Sequence, residues 1–567
     1  MPVSRRRFLA SAAATAAGVH TASAAAAVKK PASTSKRLGL PDPSTIKVGD
    51  PADLSLLECA SLLQNRKLSS VELTRACLAR SRARDGETTA WIRVYPEYAE
   101  RLAKAADERL APGSEKARRR KSPLVCGIPL ALKDLYAAKG LPVTASSQVL
   151  AGNVATGDST VWAKLRHSGM VLLGHAHTDE FAFGVGTPQS GNPWNPACSP
   201  GGSSGGSGAV LGARMVPAAT GTDTGGSLRL PASACGITSL KPTFGRVSAY
   251  GVIPLVWTRD HCGPMARSAA DVALLLSYMA GADQDDPSTL AGPAVPSGGY
   301  PHTPTRGARP FAGKTFGVAR ESVDELPAAT AKLFARFLDE VRALGAKVKT
   351  VDMPVIPTGT IGGVSSLAET GVYHQQFAPA STGRYRAELQ AVVAASIGAQ
   401  ALPVSDYLTA NRDRTRYMHE YNALFAREGL TCIVYPGSNV DGPTRKTVAG
   451  LTIFSLLAGS VTGNVVWANL AGVPALSTPI GRSDATGMPF GVQIGMRAWQ
   501  EAELLQLAVD YQAAHPYWAD APKPLATPRD IPTSKVITGP KGKPDPTNTD
   551  AKHPAFQIIP TLATEPA

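Results

Sequence analysis

Ser199-Pro200-Gly201-Gly202-Ser203-Ser204-Gly205-Gly206-Ser207 is followed, 24 residues from Ser203 to Ser227, by Gly221-Thr222-Asp223-Thr224-Gly225-Gly226-Ser227-Leu228-Arg229. Between the two runs the residues read as a small-residue apolar helix, Gly205–Ala213, and then a strand, Met215–Thr220. A flexible linker is the competing reading of a glycine-serine run. Here the run is flanked by Pro196 and Pro200 and by an apolar helix, inside an alternating strand and helix pattern. Its glycines therefore read as positions of close backbone approach and unusual dihedrals.

The same pattern extends outward. Gly127–Leu132 is a short apolar strand ending at Lys133. Asp158–His167 reads as a capped helix that Gly169 stops, and Met170–Gly174 as a strand. Downstream, Lys314–Val318 and Cys432–Tyr435 are strands, Thr330–Leu344 and Asp406–Arg427 helices, Phe490–Ile494 a strand and Glu501–Ala513 a closing helix. Strands alternating with helices predict an α/β fold with a mostly parallel sheet. Ahead of it, Leu54–Leu63 suits one helix face, Ser69-Ser70-Val71-Glu72 is a capping box opening a helix through about Arg82, and Glu97–Leu110 is a third helix. Residues 283–313 are a Pro, Gly and Asp-rich excursion.

Lys133 is the sharpest single residue. A lysine ending an apolar strand is expensive to bury. The bland alternative is an ion pair with Asp134 or another carboxylate. The chemical one is a desolvated amine whose pKa falls toward neutrality and makes a usable base. Asp223-Thr224-Gly225-Gly226-Ser227 has the composition of an oxyanion hole, because residues without Cβ let successive N–H groups converge on one point. A phosphate loop competes, but the lysine of G-x-x-x-x-G-K-[ST] is missing. Gly201–Gly205 also fits G-x-S-x-G, which would make Ser203 a nucleophile and need a histidine such as His261, His374 or His515. His175-Ala176-His177 would supply two metal ligands, but no further spacing completes a metal site.

The chain has 567 residues, 43% of them hydrophobic and 18% charged, the balance of an ordinary globular protein, with a formal charge of +14. The basic excess is scattered apart from Arg118-Arg119-Arg120-Lys121, with no aromatic interleaving of a nucleic-acid surface. Ser4-Arg5-Arg6-Arg7-Phe8-Leu9, a short alanine-rich stretch and Ala22-Ser23-Ala24 read as a twin-arginine export signal over residues 1–24. The stretch is too short to span a membrane. That order predicts a periplasmic or extracellular location in a bacterium. The seven cysteines are dispersed and read as small core residues, with one disulfide left open.

These residues resemble the amidase signature family. The likeness runs from Gly127-Ile128-Pro129 and Lys133-Asp134 through Thr178–Ala182, Asn192–Pro196 and both serine runs. It continues to Arg229-Leu230-Pro231, Leu240–Thr243, Gly245–Ser248 and Gly263–Arg267, and covers roughly residues 50–515. It implies a large twisted sheet, mixed but mostly parallel, covered by helices on both faces. It also implies an acyl nucleophile at Ser227, a bridging serine at Ser203 preceded by a cis peptide bond, and a base at Lys133. The oxyanion hole would be the N–H groups of Thr224, Gly225, Gly226 and Ser227, supported by Ser204, Asp223 and Arg229. No metal or organic cofactor is implied. The chain then divides into a leader (1–24), a linker (25–50), an amidase domain (51–520) and a tail (521–567), wrapped or disordered, that holds ten prolines. The expected activity is hydrolysis of a small-molecule or peptide amide through an acyl-enzyme, without nucleic acid or a membrane span, in a possible homodimer. An amidotransferase A-type subunit or an inactive binding member is the alternative. Cys432–Ser438 departs from the family's Pro-Thr at that strand end, a departure expected to touch specificity. Tyr373, His374 and Tyr407 are candidates for the acyl pocket.

Overall fold

Strands whose every position is buried set the architecture. The computed structural model describes residues 39–112, 122–324, 326–356, 363–377, 380–452, 465–523, 528–535, 538–539 and 543–544. Eleven of its strands form one sheet: β1 (Trp91–Val94), β2 (Pro129–Lys133), β3 (Val171–Ala176), β4 (Ala218–Asp223), β5 (Thr238–Lys241), β6 (His261–Ala266), β7 (Thr315–Ala319), β8 (Lys347–Val351), β9 (Cys432–Pro436), β10 (Ala475–Arg482) and β11 (Pro489–Gly495), in the order β1-β3-β2-β4-β6-β5-β10-β11-β9-β7-β8. β2, β3, β4, β5, β6, β9 and β11 are buried at consecutive positions along their whole length. Alternate residues face opposite sides of a sheet, so continuous burial means both faces are covered.

The helices are α1 (Leu56–Gln64), α2 (Ser70–Thr88), α3 (Pro96–Leu110), α4 (Thr160–His167), α5 (Gly205–Gly212), α6 (Arg229–Cys235), α7 (Ala269–Met279), α8 (Ala328–Ala343), α9 (Ser366–His374), α10 (Ala387–Gly398), α11 (Val404–Glu428), α12 (Arg445–Val448), α13 (Trp467–Ala471) and α14 (Glu501–Ala514). The capping box at α2 forms: Ser69 Oγ accepts from Glu72 N at 3.1 Å and Ser69 N donates to Glu72 Oε2 at 2.8 Å. α2 runs six residues past the expected Arg82, to Thr88. Its late charges are held by partners, with Arg84 Nη1 donating to Ala213 O at 2.6 Å.

The sheet is mixed, as expected, but the weighting toward parallel pairing is corrected. Parallel ladders join β3-β2-β4 and β9-β7-β8, whereas β1-β3 and the middle run β4-β6-β5-β10-β11-β9 are antiparallel. The reason is connection length. A parallel return needs a crossover, which α4 and α8 supply, while β10 and β11 are joined by a short turn that can only fold back antiparallel. β4 is also shifted. It starts at Ala218, after Pro217, and extends through Asp223, because Thr220–Asp223 pair with Pro264–His261 of β6. A proline cannot donate to a ladder, so the strand opens after it.

All seven cysteines are unpaired and buried. The leader, most of the expected linker and Arg118–Lys121 lie outside the described residues. Among the described residues no single helix is long and apolar enough to cross a membrane.

Candidate active site

The parallel strands β2 and β4 end side by side, with Leu130 and Ala131 opposite Ala218 and Ala219. That register carries Lys133, the last residue of β2, up beside Thr220 and Thr222, which share one face of β4 by their i, i+2 spacing. Lys133 N donates to Thr220 Oγ1 at 3.2 Å, and Lys133 Nζ lies 2.7 Å from Thr222 Oγ1 and 2.8 Å from Ser203 Oγ. The amine has no access to solvent. Burial brings its pKa down from 10.5 to about 7, while the carboxylates of Asp223, Asp260 and Asp179 pull the other way. The ion pair with Asp134 does not form. Asp134 accepts instead from Thr144 Oγ1 at 2.6 Å and Ser146 N at 2.9 Å.

Ser203 stands at the entry to α5, after a cis Gly202–Ser203 peptide bond. Its carbonyl accepts from Asp179 N at 2.9 Å and Thr187 Oγ1 at 3.1 Å. Any Cβ at Gly202 would lie 2.5 Å from the backbone of Val185 and Gly186, and one at Gly206 would lie 2.4 Å from His177 O. These are the close approaches that glycine alone permits. Ser204 Oγ donates to Thr222 O at 3.2 Å and accepts from Thr222 N at 3.3 Å, which ties this loop to β4.

Ser227 precedes α6 and, unlike Lys133 and Ser203, keeps slight exposure, 4%. Its loop meets the other serine loop where Ser204 N donates to Ser227 O at 3.3 Å. Among the described residues no hydrogen bond joins Ser227 Oγ to Ser203 Oγ. Asp223 organises the turn: its carboxylate accepts from Gly226 N at 2.6 Å and Leu228 N at 3.2 Å, from Arg229 Nε at 3.0 Å and from Asn469 Nδ2 at 2.8 Å. Burial alone pushes the Asp223 carboxyl up, but Arg229, Lys241 and Asn469 together outweigh it and hold the group below the usual carboxylate range. Arg229 reaches on to Gln493 Oε1 at 2.6 Å and Asn469 Oδ1 at 2.7 Å.

The expected cradle of four N–H groups is therefore revised at one position. Gly226 N–H is already engaged by Asp223, whereas the N–H groups of Thr224, Gly225 and Ser227 have no acceptor among the described residues. Gly226 itself is at φ 113°, and a Cβ there would lie 2.8 Å from Val465. Thr224 is fixed through its side chain, whose Oγ1 donates to Asp260 Oδ1 at 2.5 Å. Asp260 in turn accepts from Leu255 N and Val256 N.

The competing histidines are held by other contacts. His175 Nδ1 pairs with Tyr95 OH at 2.6 Å and Nε2 with Tyr136 O at 3.0 Å. His261, next to the second serine loop, turns Nδ1 to the backbone, 2.5 Å from Arg259 O and 3.2 Å from Asp223 O, and His374 Nδ1 faces Tyr385 OH at 2.8 Å. His515 lies by Glu340. Among the described residues no three His, Cys, Asp or Glu side chains are grouped to hold a metal ion. The candidates for the acyl pocket are placed as follows. Tyr373 and His374 are buried in an aromatic cluster on Phe181, and Tyr407 OH donates to Glu369 at 3.1 Å. The pocket that abuts both serine loops is lined by other residues, among them Gly201, Leu230, Ser438 and Leu451. Thr222, Asp179 and Asp260 had no assigned role. Thr222 had one signal, the i, i+2 pair of threonines running into Asp223.

A family model described as Amidase matches residues 72–505. The A subunit of glutamyl-tRNA(Gln) amidotransferase from Methylococcus capsulatus is 35% identical over 510 residues, covering 83% of this chain and 99% of that one. Its counterpart from Pseudomonas savastanoi is 36% identical over 505 residues, with the same coverage. Among solved structures, peptide amidase from Stenotrophomonas maltophilia gives a TM-score of 0.67 at 27% identity, covering 84% of this chain and 98% of that one. A 6-aminohexanoate cyclic dimer hydrolase complexed with substrate gives 0.70 at 25%, covering 83% and 99%.

Proposed function

This chain belongs to the amidase family, and from that premise we propose that it hydrolyses carboxylic amides, with Ser227 as nucleophile, Ser203 as proton relay and Lys133 as base. The observation that carries the reading is a solvent-free amine, near neutral in pKa, 2.8 Å from the hydroxyl of Ser203. An amine in that state accepts a proton at neutral pH, which an ordinary lysine does not.

The steps balance as follows. Neutral Lys133 takes the Ser203 Oγ proton as Ser203 takes that of Ser227. Ser227 Oγ forms a bond to the amide carbon, and the carbonyl electrons move to oxygen, facing the free N–H groups of Thr224, Gly225 and Ser227. Collapse breaks the C–N bond, and the proton returns through Ser203 to the leaving nitrogen. Water then enters by the same relay, cleaves the acyl–Ser227 ester and restores the serine. Each preorganised N–H is worth about 3–4 kcal/mol of transition-state stabilisation. The gap between Ser203 Oγ and Ser227 Oγ has to close when substrate binds, as catalytic contacts in unliganded sites commonly do.

Ser227→Ala and Lys133→Met test the assignment. Each is expected to lower kcat for amide hydrolysis by about 10³-fold or more with the fold intact by circular dichroism. Near-wild-type turnover in either would end it. The second reading, an amidotransferase A-type subunit, is favoured by the identities above 30% to such subunits. The twin-arginine stretch favours a free-standing exported hydrolase instead. Cell fractionation separates them: export without co-purifying chains supports the hydrolase, cytosolic retention in a complex supports the subunit. Wild-type protein silent on every amide and ester would support an inactive binding member.

A further inference from the structure

Next to both serine loops lies a small pocket of about 50 Å³. Gly201, two residues before Ser203, and Leu230, three after Ser227, form part of its wall, with Val185, Val440, Val448, Leu451 and Phe490. Apolar packing continues from this wall to Gly226 in the second serine loop. Leu230, Val185 and Val465 make one apolar cluster with Leu451 packed against it, and Val465 is the side chain that a Cβ at Gly226 would strike.

Three hydroxyls also line the pocket, each already bonded to the protein. Ser199 Oγ donates to Gly186 O at 2.7 Å, Ser438 Oγ donates to Val440 O at 2.8 Å, and Ser233 Oγ accepts from Gly491 N at 2.9 Å. None of the described lining residues is charged. An ionised group entering such a place would lose its hydration with no opposite charge to replace it. Ser438 lies in the segment that departs from the family pattern, and its hydroxyl is turned onto its own loop.

We infer that this pocket receives one of the two groups flanking the scissile C–N bond, and that this group is an uncharged aliphatic or aryl moiety. The inference rests on the hydrolase reading and narrows its substrate class. It sets a zwitterionic acyl group such as that of glutamine outside the range of this pocket.

Matched pairs differing only in a terminal methyl or carboxylate test it. On the acyl side, butanamide is compared with succinamate by ammonia release. On the amine side, N-propylacetamide is compared with N-acetyl-β-alanine by acetate release, and L-glutamine is a further acyl probe. For the side that enters the pocket, kcat/KM for the neutral member is expected to exceed that of its charged partner by about 100-fold or more. Leu451→Lys should move that ratio toward the carboxylate by about tenfold, with an absolute gain on the carboxylate substrate that misfolding cannot mimic. Ratios within about threefold on both sides, or glutamine turned over as well as butanamide, would overturn the inference while leaving the hydrolase intact. Wild-type protein inert toward all five compounds and toward 4-nitrophenyl acetate would instead remove the hydrolase reading, and the inference with it.

Discussion

Lys133 links burial to chemistry most directly. Its pKa lies at about 7 because the amine is desolvated, and only the neutral form accepts a proton. The kcat/KM for a neutral amide should rise about tenfold per pH unit below 7 and level off above it. An ordinary lysine would put that rise near 10.5. A pH profile from 5 to 10 on purified protein decides between them, and a rate still climbing steeply at pH 9 would refute a desolvated base. Lys133, Ser203 and Ser227 were legible in the sequence because each breaks a local rule: a lysine ending an apolar strand, and serines set among glycines. Asp260 breaks none, and Thr222 carries only the weak signal of its i, i+2 threonine pair. Their placement comes from pairing between distant strands, in which β4 and β6 run antiparallel with Asp223 opposite His261, so that Asp260 falls beside Thr224. Local pattern cannot supply that register.

Elements show the same division. Helices with caps and strands with apolar runs were readable, whereas strand direction in the sheet's middle depended on connection geometry, and β4 slid three residues because Pro217 delays its first ladder bond. Tyr373 and His374 carry suitable chemistry for a pocket, but the sequence does not show that α9 packs them against Phe181. What holds β4, α6, α13 and β11 at one point is the buried Asp223–Arg229 pair, with Asn469 and Gln493 as further partners. Breaking a buried pair from one side leaves an uncompensated charge, at about 3–5 kcal/mol. Asp223→Asn is expected to lower the urea unfolding free energy by that amount. It should also abolish turnover, since the anchors of Gly226 and Leu228 go with it. A variant with wild-type stability would mean that Arg229 finds another partner.

At the scale of the whole molecule, the eleven-stranded sheet has an edge at β1, and an open edge offers unpaired N–H and C=O groups to other chains. Part of the proline-rich tail covers it. Val94 N donates to Pro532 O at 2.9 Å, Ser534 N to Val94 O at 3.3 Å, and Ile531 is buried. The segment is fastened by Arg529, whose Nη1 lies 3.1 Å from Asp85 Oδ2 at the end of α2. Burial raises the Asp85 carboxyl to about 6, against the pull of Ala90 N, Thr88 and Arg529. The sign of the pH effect follows. Between 3.8 and about 6 the folded protein holds a proton that the unfolded chain has released, so the cost of keeping Asp85 ionised is full only above about 6. Arg529 offsets that cost. Arg529→Ala should therefore destabilise the protein by about 2 kcal/mol at pH 8, and the deficit should shrink as pH falls toward 6 and vanish below it, because without the cation Asp85 takes up its proton at higher pH and the neutral acid needs no partner. Ending the chain at Lys523 should reproduce that deficit and, by baring the β1 edge, add concentration-dependent self-association in sedimentation velocity. A deficit independent of pH would mean that Arg529 acts through packing instead of through Asp85, and a truncated chain as stable and monomeric as the full one would remove the tail from the energetics of the sheet.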